Sequence, residues 1–245
     1  MIDFHSHVLP GIDDGSSCVD ESLDMLRIAK NQGVSTMLAT PHFYAQNTSV
    51  GHFLEKRERA LHELNKSMEY IDTVDYPNIK LGAEVCYFNG IGQARDLENL
   101  CMEGTNSILL ELPFIQWDKL VLQDVNMLIE ERKLNVILAH IERFYAFQKR
   151  KKIWKEIMEL PVIFQINADF FDNRKKRKVV NNLIVNDKAV ILGSDCHNVE
   201  RRKPNLNSGY DYIADKYGKD VINKINNLGT EVLENDIKTD RVLSK

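Results

Sequence analysis

Five of the seven histidines in this 245-residue chain stand directly behind short apolar runs, in His5-Ser6-His7, Thr40-Pro41-His42, His140 and Asp195-Cys196-His197. Glu84 and Glu111 occupy equivalent places. Imidazoles and carboxylates gathered in this way suit manganese, iron or zinc better than calcium. Each piece alone has an ordinary reading, since a lone His-x-His is usually packing and a Glu at a strand end is usually a salt-bridge partner. As a set they point elsewhere, because several carboxylates buried in one place need cations beside them. Residues i and i+2 of a strand face the same way, so His5 and His7 share a face, and the spacing of Asp195 and His197 repeats the pattern. His52 and His62 lie inside a charged helical stretch and read as surface residues.

Elements of one kind must hold these residues. Apolar, β-rich runs at 1–4, 34–39, 79–83, 107–110, 135–139, 162–166 and 189–193 predict seven strands. Between them, 18–32, 50–70 and 119–133 predict helices. In the first, Leu23, Leu26 and Ala29 space an apolar face, and Gly33 suits the left-handed position beyond the helix end. Alternating strands and helices, with strands apolar on both faces, predict an α/β fold whose parallel sheet is closed or nearly closed into a barrel. An open doubly wound sheet is the alternative, but no Gly-x-Gly-x-x-Gly follows the first strand. Barrel enzymes keep their active sites at the C-terminal strand ends, where these ligand-type residues stand; the sixth run offers only Asn167. Beyond about 210 the chain reads as helix covering the outside of the barrel.

Hydrophobic residues at 43% and charged residues at 28% are ordinary globular values, and the length suits a single domain spanning 1–245. A net charge of −4 provides no overall field that would draw in nucleic acid. Two basic runs, 149–152 and 174–178, read as solvated helix faces, with docking of an acidic or phosphorylated partner as the alternative. No stretch approaches the ~20 apolar residues of a membrane span, and the opening residues lack the pattern of a signal peptide. The four cysteines have neither zinc-finger nor disulfide spacing, so a cytoplasmic protein without membrane insertion is expected.

The His-x-His after the first strand resembles the first motif of the polymerase and histidinol phosphatase (PHP) superfamily. The opening Met-Ile-Asp-Phe-His-Ser-His-Val-Leu-Pro-Gly-Ile-Asp-Asp-Gly-Ser, with His140-Ile-Glu-Arg143 and Ser194-Asp-Cys-His-Asn198, resembles the manganese-dependent protein-tyrosine phosphatases of capsule and exopolysaccharide operons. The likeness runs along essentially the whole chain. It implies a distorted (β/α)7 TIM-like barrel, its helices from about 205 covering it, with three divalent metals: manganese, or iron, zinc, cobalt or magnesium in its place. His5, His7, Glu84 and Asp195 would surround one metal, Glu84, Glu111 and His140 a second, and Asp14, His42 and His197 a third. Asp14 comes from the resemblance alone, since Asp13-Asp14-Gly15 reads equally well as a turn. Arg143 and Arg202 match positions that contact phosphate. The segment Arg201-Arg202-Lys203-Pro204 departs from the family, where one arginine before the proline is commoner, so either arginine could serve. Gln165-Ile166-Asn167 runs into Ala-Asp-Phe-Phe, another departure, which leaves the pocket shape open.

The implied reaction is in-line attack of a metal-activated hydroxide on phosphotyrosine, with His42 or Asp14 assisting the leaving phenolate. The implied partner is a membrane-anchored bacterial tyrosine autokinase that controls polysaccharide synthesis. A small-molecule phosphatase of the histidinol-phosphate type, or a nuclease, would use nearly the same cluster, and a regulatory protein that keeps its metals for structure is a third reading. Cys196 and Arg202 also satisfy the Cys-x5-Arg spacing of thiol phosphatases. The residues between them contain no glycine and include a carboxylate, so they are unsuited to a phosphate-cradling loop.

Overall fold

The computed structural model of this chain describes residues 1–69, 76–235 and 237. Nine strands are present among the described residues: β1 (Ile2–Ser6), β2 (Thr36–Ala39), β3 (His42–Phe43), β4 (Asn78–Leu81), β5 (Glu84–Cys86), β6 (Ser107–Glu111), β7 (Asn135–Leu138), β8 (Ile163–Asn167) and β9 (Val190–Gly193). Every pair is parallel, in two sheets of order β1-β2-β4 and β3-β5-β6-β7-β8-β9. The seven expected strands are the seven positions of this barrel. Two of them are split, which the apolar pattern does not reveal. Pro41, which has no N–H to donate, separates β2 from β3, while Gly82-Ala83 separates β4 from β5. Hydrogen bonds from Gly82 N to Ala39 O and from Glu84 N to Pro41 O carry the pairing across the breaks.

The seam between β9 and β1 has no regular ladder. It is held by a bridge between Ser6 and Cys196, by Asp195 N donating to His5 O at 2.7 Å, and by His7 N donating to Cys196 O at 2.9 Å. The buried Asp3 carboxylate substitutes for missing backbone acceptors there, taking the N–H of Ser194 at 2.8 Å and of His5 at 3.2 Å. Burial pushes the Asp3 carboxyl up to about 6 against the opposing pull of these donors. Gly193 lies on the same seam, where an added Cβ would stand 2.5 Å from the His5 Cβ, so only glycine lets the two strands approach.

Among the described residues seven α-helices surround the strands: α1 (Val19–Asn31), α2 (Val50–Met68), α3 (Lys119–Glu130), α4 (Lys151–Met158), α5 (Arg174–Val185), α6 (Leu206–Tyr217) and α7 (Lys219–Leu233). Their starts follow cap chemistry: Ser49, Asp118 and Asn173 accept backbone N–H groups at the heads of α2, α3 and α5. Gly33, at φ +87°, takes the left-handed position after α1. Tyr70, the expected end of the second helix, lies outside the described residues.

Phe4, Leu38, Leu109, Ile137, Ile163 and Ile191 form an inner cluster with one residue from each of β1, β2, β6, β7, β8 and β9. Their strand neighbours, such as Met37, Leu110 and Leu192, belong to the outer core with the helices. The last helix does more than cover the outside, as the helical reading of the tail supposed. Leu228 and Val232 of α7 join the inner cluster, and Gly229 comes so close to Phe4 that a Cβ would stand 2.9 Å from its ring. Apolar packing thus fills the barrel and leaves polar side chains for the opposite end of the strands.

Candidate metal centre

His5 and His7 present their Nε2 atoms to each other at 3.2 Å. The two rings are fixed from behind. His5 Nδ1 faces the Gln165 Oε1 at 3.0 Å, and His7 Nδ1 faces the Asp13 Oδ2 at 2.7 Å. An acceptor oxygen behind each Nδ1 favours the tautomer in which Nδ1 carries the proton and Nε2 is left free to ligate a metal. Glu84 Oε2 lies 3.2 Å from His5 Nε2 and 3.3 Å from His7 Nε2, with Asp195 Oδ1 at 3.6 Å and 3.5 Å. Two imidazole nitrogens and two carboxylate oxygens converge on one point, an arrangement that fits a bound divalent cation; against burial, Asp13, Asp195 and Glu84 raise the His7 ring well above its ordinary value.

The cluster continues on both sides. His140 Nε2 lies 2.9 Å from Glu84 Oε1 and 3.2 Å from Glu111 Oε1. His42 approaches Glu84 Oε2 with Nδ1 at 2.8 Å and Asp14 Oδ1 with Nε2 at 3.3 Å, and His197 Nε2 is 3.5 Å from the same Asp14 oxygen. His197 Nε2 is buried without a hydrogen-bond partner, which suits a metal ligand. Three overlapping groups are spaced to hold a metal: His5, His7 and Glu84; His42, Glu84 and Glu111; and His7, Asp14, His42 and His197. Seven of the nine residues expected as ligands fall in these groups, with His42 where His140 was expected; His140 and Asp195 border them, 2.9 Å from Glu84 and 3.5 Å from His7.

Charge balance within the cluster follows from these contacts. Burial alone would raise the Asp13 carboxyl, but the His7 ring and the backbone N–H groups of His42 and Gly15 outweigh it and bring it to about 2. Burial alone would lower His140, yet Glu111 and Glu84 raise it to about 9. Burial likewise opposes the charge on Glu84 and Asp195, and the surrounding imidazoles reverse it, holding both well below the usual carboxylate range.

Asp195 also anchors the cationic edge of the site. Its Oδ2 accepts from Arg143 and Asn167 at 2.7 Å and 2.8 Å, and its Oδ1 accepts from Arg202 at 2.7 Å. Of the two neighbouring arginines, Arg202 points inward while Arg201 is exposed. The reason is local: Asn198 Oδ1 accepts the N–H groups of Glu200, Arg201 and Arg202, and Arg202 O accepts from His197 N, so the turn aims Arg202 at the cluster.

Strand alternation does not place Asp195 and His197, because β9 ends at Gly193. Asp195 sits at φ +53°, in left-handed backbone uncommon outside glycine, and His140 at φ +30°. The seam bonds to His5 O and the cap of the 3-10 turn Ile141–Ala146 impose these angles. His52, read as a surface residue, lines the rim of a 430 Å³ cavity that begins at Asp14 and His42 and has Ile12, Tyr44 and Phe53 on its wall.

Two positioning residues, Asp13 and Gln165, escape the strand-end reading, and Asn167, its weak sixth-strand candidate, acts with them. Asp13 holds His7. Gln165 accepts from His5 Nδ1 and from His140 N, and donates through Nε2 to Asn167, whose Nδ2 donates to Asp195. Such outer partners fix ring orientation and tautomer in metal sites. The polar alternation Gln165-x-Asn167 in an apolar strand is the one signal for Gln165. Cys196 faces the opposite way, wholly buried in the outer core, where burial pushes its thiol up; it has no path to a phosphate.

Fold and cluster together define an α/β barrel carrying a buried histidine and carboxylate site able to bind metal. Residues 1–233 match the family described as capsular polysaccharide synthesis, CpsB/CapC, and the chain belongs to that family. It is similar to the tyrosine-protein phosphatase CpsB of Streptococcus agalactiae, at 27% identity over 239 residues, covering 92% of this chain and 94% of that protein. It is similar to CpsB of Streptococcus pneumoniae, at 28% over 236 residues with 89% and 91% covered. It is also similar to the tyrosine-protein phosphatase YwqE of Bacillus subtilis, at 28% over 236 residues with 90% and 87% covered. A crystal structure from work describing YwqE from Bacillus subtilis and CpsB from Streptococcus pneumoniae as metal-dependent tyrosine phosphatases has the same fold. It matches with a TM-score of 0.83 at 22% identity, covering 97% of this chain and 96% of that one. Among the described residues no helix is long and apolar enough to cross a membrane.

Proposed function

We propose that this chain is a metal-dependent protein-tyrosine phosphatase of the cytoplasm, acting on a membrane-anchored bacterial tyrosine autokinase and so regulating capsular or exopolysaccharide synthesis. The observation that carries this reading is the convergence of the His5 and His7 Nε2 atoms with Glu84 and Asp195, beside two inward guanidinium groups. The names of the relatives support the choice of substrate.

In this reading His5, His7, Glu84 and Asp195 hold one manganese ion. Glu84, Glu111 and His140 hold a second, and Asp14, His42 and His197 a third. Iron, zinc, cobalt or magnesium would be accepted by the same mixed ligands. Divalent metal bound there supplies Lewis acidity toward phosphoryl oxygens and lowers the pKa of water. The protein's own groups do the rest. Arg143 and Arg202 offer planar forks to the phosphoryl oxygens, and Asp195 keeps both forks on the same spot. Glu84 reaches four of the imidazoles, so it fixes their mutual placement.

The leaving phenol has a pKa of about 10 and needs only modest help. His42 and Asp14 stand where the metal cluster opens into the 430 Å³ cavity, so these residues or the divalent ion they would hold assist the leaving phenolate there. Ile12, Tyr44 and Phe53 give that cavity an apolar wall suited to an aromatic ring. Turnover of a phosphotyrosine peptide, histidinol phosphate and single-stranded DNA by metal-loaded protein tests the assignment. Preference for the peptide is the expected result. Preference for either other substrate keeps the metal site and overturns the substrate.

A further inference from the structure

One basic surface takes no part in the reaction. A cleft of 780 Å³ runs between α4 and α5, with Lys151, Lys155, Lys178 and Lys188 on its walls and Glu159 as the one carboxylate among its lining residues. Glu159 is paired with Lys188 at 2.9 Å and neutralises little else. Lys178 also lines a second hollow of 440 Å³ toward α6, where Arg174, Arg177 and Lys216 add three cations and no carboxylate. The two hollows meet at Lys178 on α5, and together they form a strongly cationic strip on a chain whose net charge is −4. A merely solvated helix face would be convex and interleaved with acids. This strip is concave, and its floor is apolar: Trp154, Met158, Val179 and Leu183 lie under the lysines.

The strip is also tied to the active end of the barrel. The short 3-10 turn Ile141–Ala146 carries Arg143 into the metal centre and, two residues on, Tyr145 into the cleft, with Lys151 Nζ lying 3.4 Å from the Tyr145 ring centroid. A ligand in the cleft is thus one 3-10 turn away from the phosphate-binding edge.

We propose that this strip is a docking groove for an extended acidic segment of the phosphoprotein, gripped outside the metal centre. Charge complementarity selects the acidic class. The apolar floor and concave walls suit a peptide, whose side chains can enter the cleft, better than the flat face of an anionic bilayer. That the acidic partner is the phosphatase substrate rests on the function proposed above; binding itself does not, and the test separates the two.

The test is fluorescence anisotropy with the full metal-loaded chain and a short unphosphorylated Asp/Glu-rich peptide. Expected is binding that weakens with salt, is absent for a neutral peptide of equal length, and falls by about tenfold in Lys155→Glu/Lys178→Glu. The control Lys66→Glu/Lys119→Glu, on α2 and α3, should leave it unchanged. In parallel, KM for a phosphotyrosine peptide with an acidic flank should rise in the groove variant while kcat on a small aryl phosphate stays the same. Equal loss in the control variant, equal binding of the neutral peptide, or no loss in the groove variant overturns the groove. Binding to phosphatidylglycerol vesicles without binding to the peptide replaces it with a membrane contact. Peptide binding without any phosphatase turnover keeps the groove and sinks the substrate assignment instead.

Discussion

The imidazole of His7 is prepared by a residue with no ligand role of its own. Asp13 accepts from His7 Nδ1, from the backbone of His42 and from the backbone of Gly15, so one carboxylate fixes the His7 ring, the backbone of His42 and its own turn. Asp13→Ala should weaken Mn²⁺ affinity by about 10–100-fold in calorimetric titration, and Asp13→Asn, which keeps an acceptor, should lose less. His140 gives a prediction with a definite sign. Its folded pKa of about 9 lies above its unfolded value, so in chelated protein its contribution is complete below about 6.5 and disappears as pH rises through 9. Thermal melts in chelator should show the advantage of wild type over His140→Gln shrinking across that window; an advantage that grows with pH would contradict the assignment. At this scale the sequence shows a ligand when polarity interrupts an apolar run, as at His5, Glu84 and His140. It hides a partner such as Gln165, whose meaning depends on His5, 160 residues away.

At the scale of elements, the barrel end is shaped by departures from regular strand. Pro41 and Gly82-Ala83 break two strands, so that His42 and Glu84 sit in short segments of their own and turn toward the centre. The seven apolar runs made the barrel readable. The breaks were not, because Thr40-Pro41 and Gly82-Ala83 read equally well as strand ends. Asp195 and His140 depend on left-handed backbone that alternation cannot foresee. Gly193 is the most exposed weakness of the seam: Gly193→Ala would drive a methyl into the His5 Cβ and the Gln165 side chain. A loss of about 1–3 kcal/mol in denaturant unfolding is expected, together with lower metal occupancy, because His5 must shift. Unchanged metal content with lowered stability would show that the seam carries the fold alone.

The whole molecule separates its tasks along the barrel axis. α7 and the inner apolar cluster occupy one end, and the ligand-type side chains, both arginines and the 430 Å³ cavity occupy the other. Nine residues from loops and strands spread over nearly two hundred positions meet there, so the centre exists only when the barrel is complete. Family membership covers the same span, residues 1–233. On the proposed function, phosphate leaves through metal chemistry at His5 and its neighbours, with no part for the buried thiol. Release of phosphate from a phosphotyrosine peptide should be measured on chelated protein before and after Mn²⁺ is restored, for wild type, His5→Ala and Cys196→Ser, with metal content determined for each. Activity that returns with Mn²⁺ in wild type and Cys196→Ser, and stays absent in His5→Ala, is the predicted result. Activity that persists in chelator, or that vanishes in Cys196→Ser while its metals remain bound, would contradict the account.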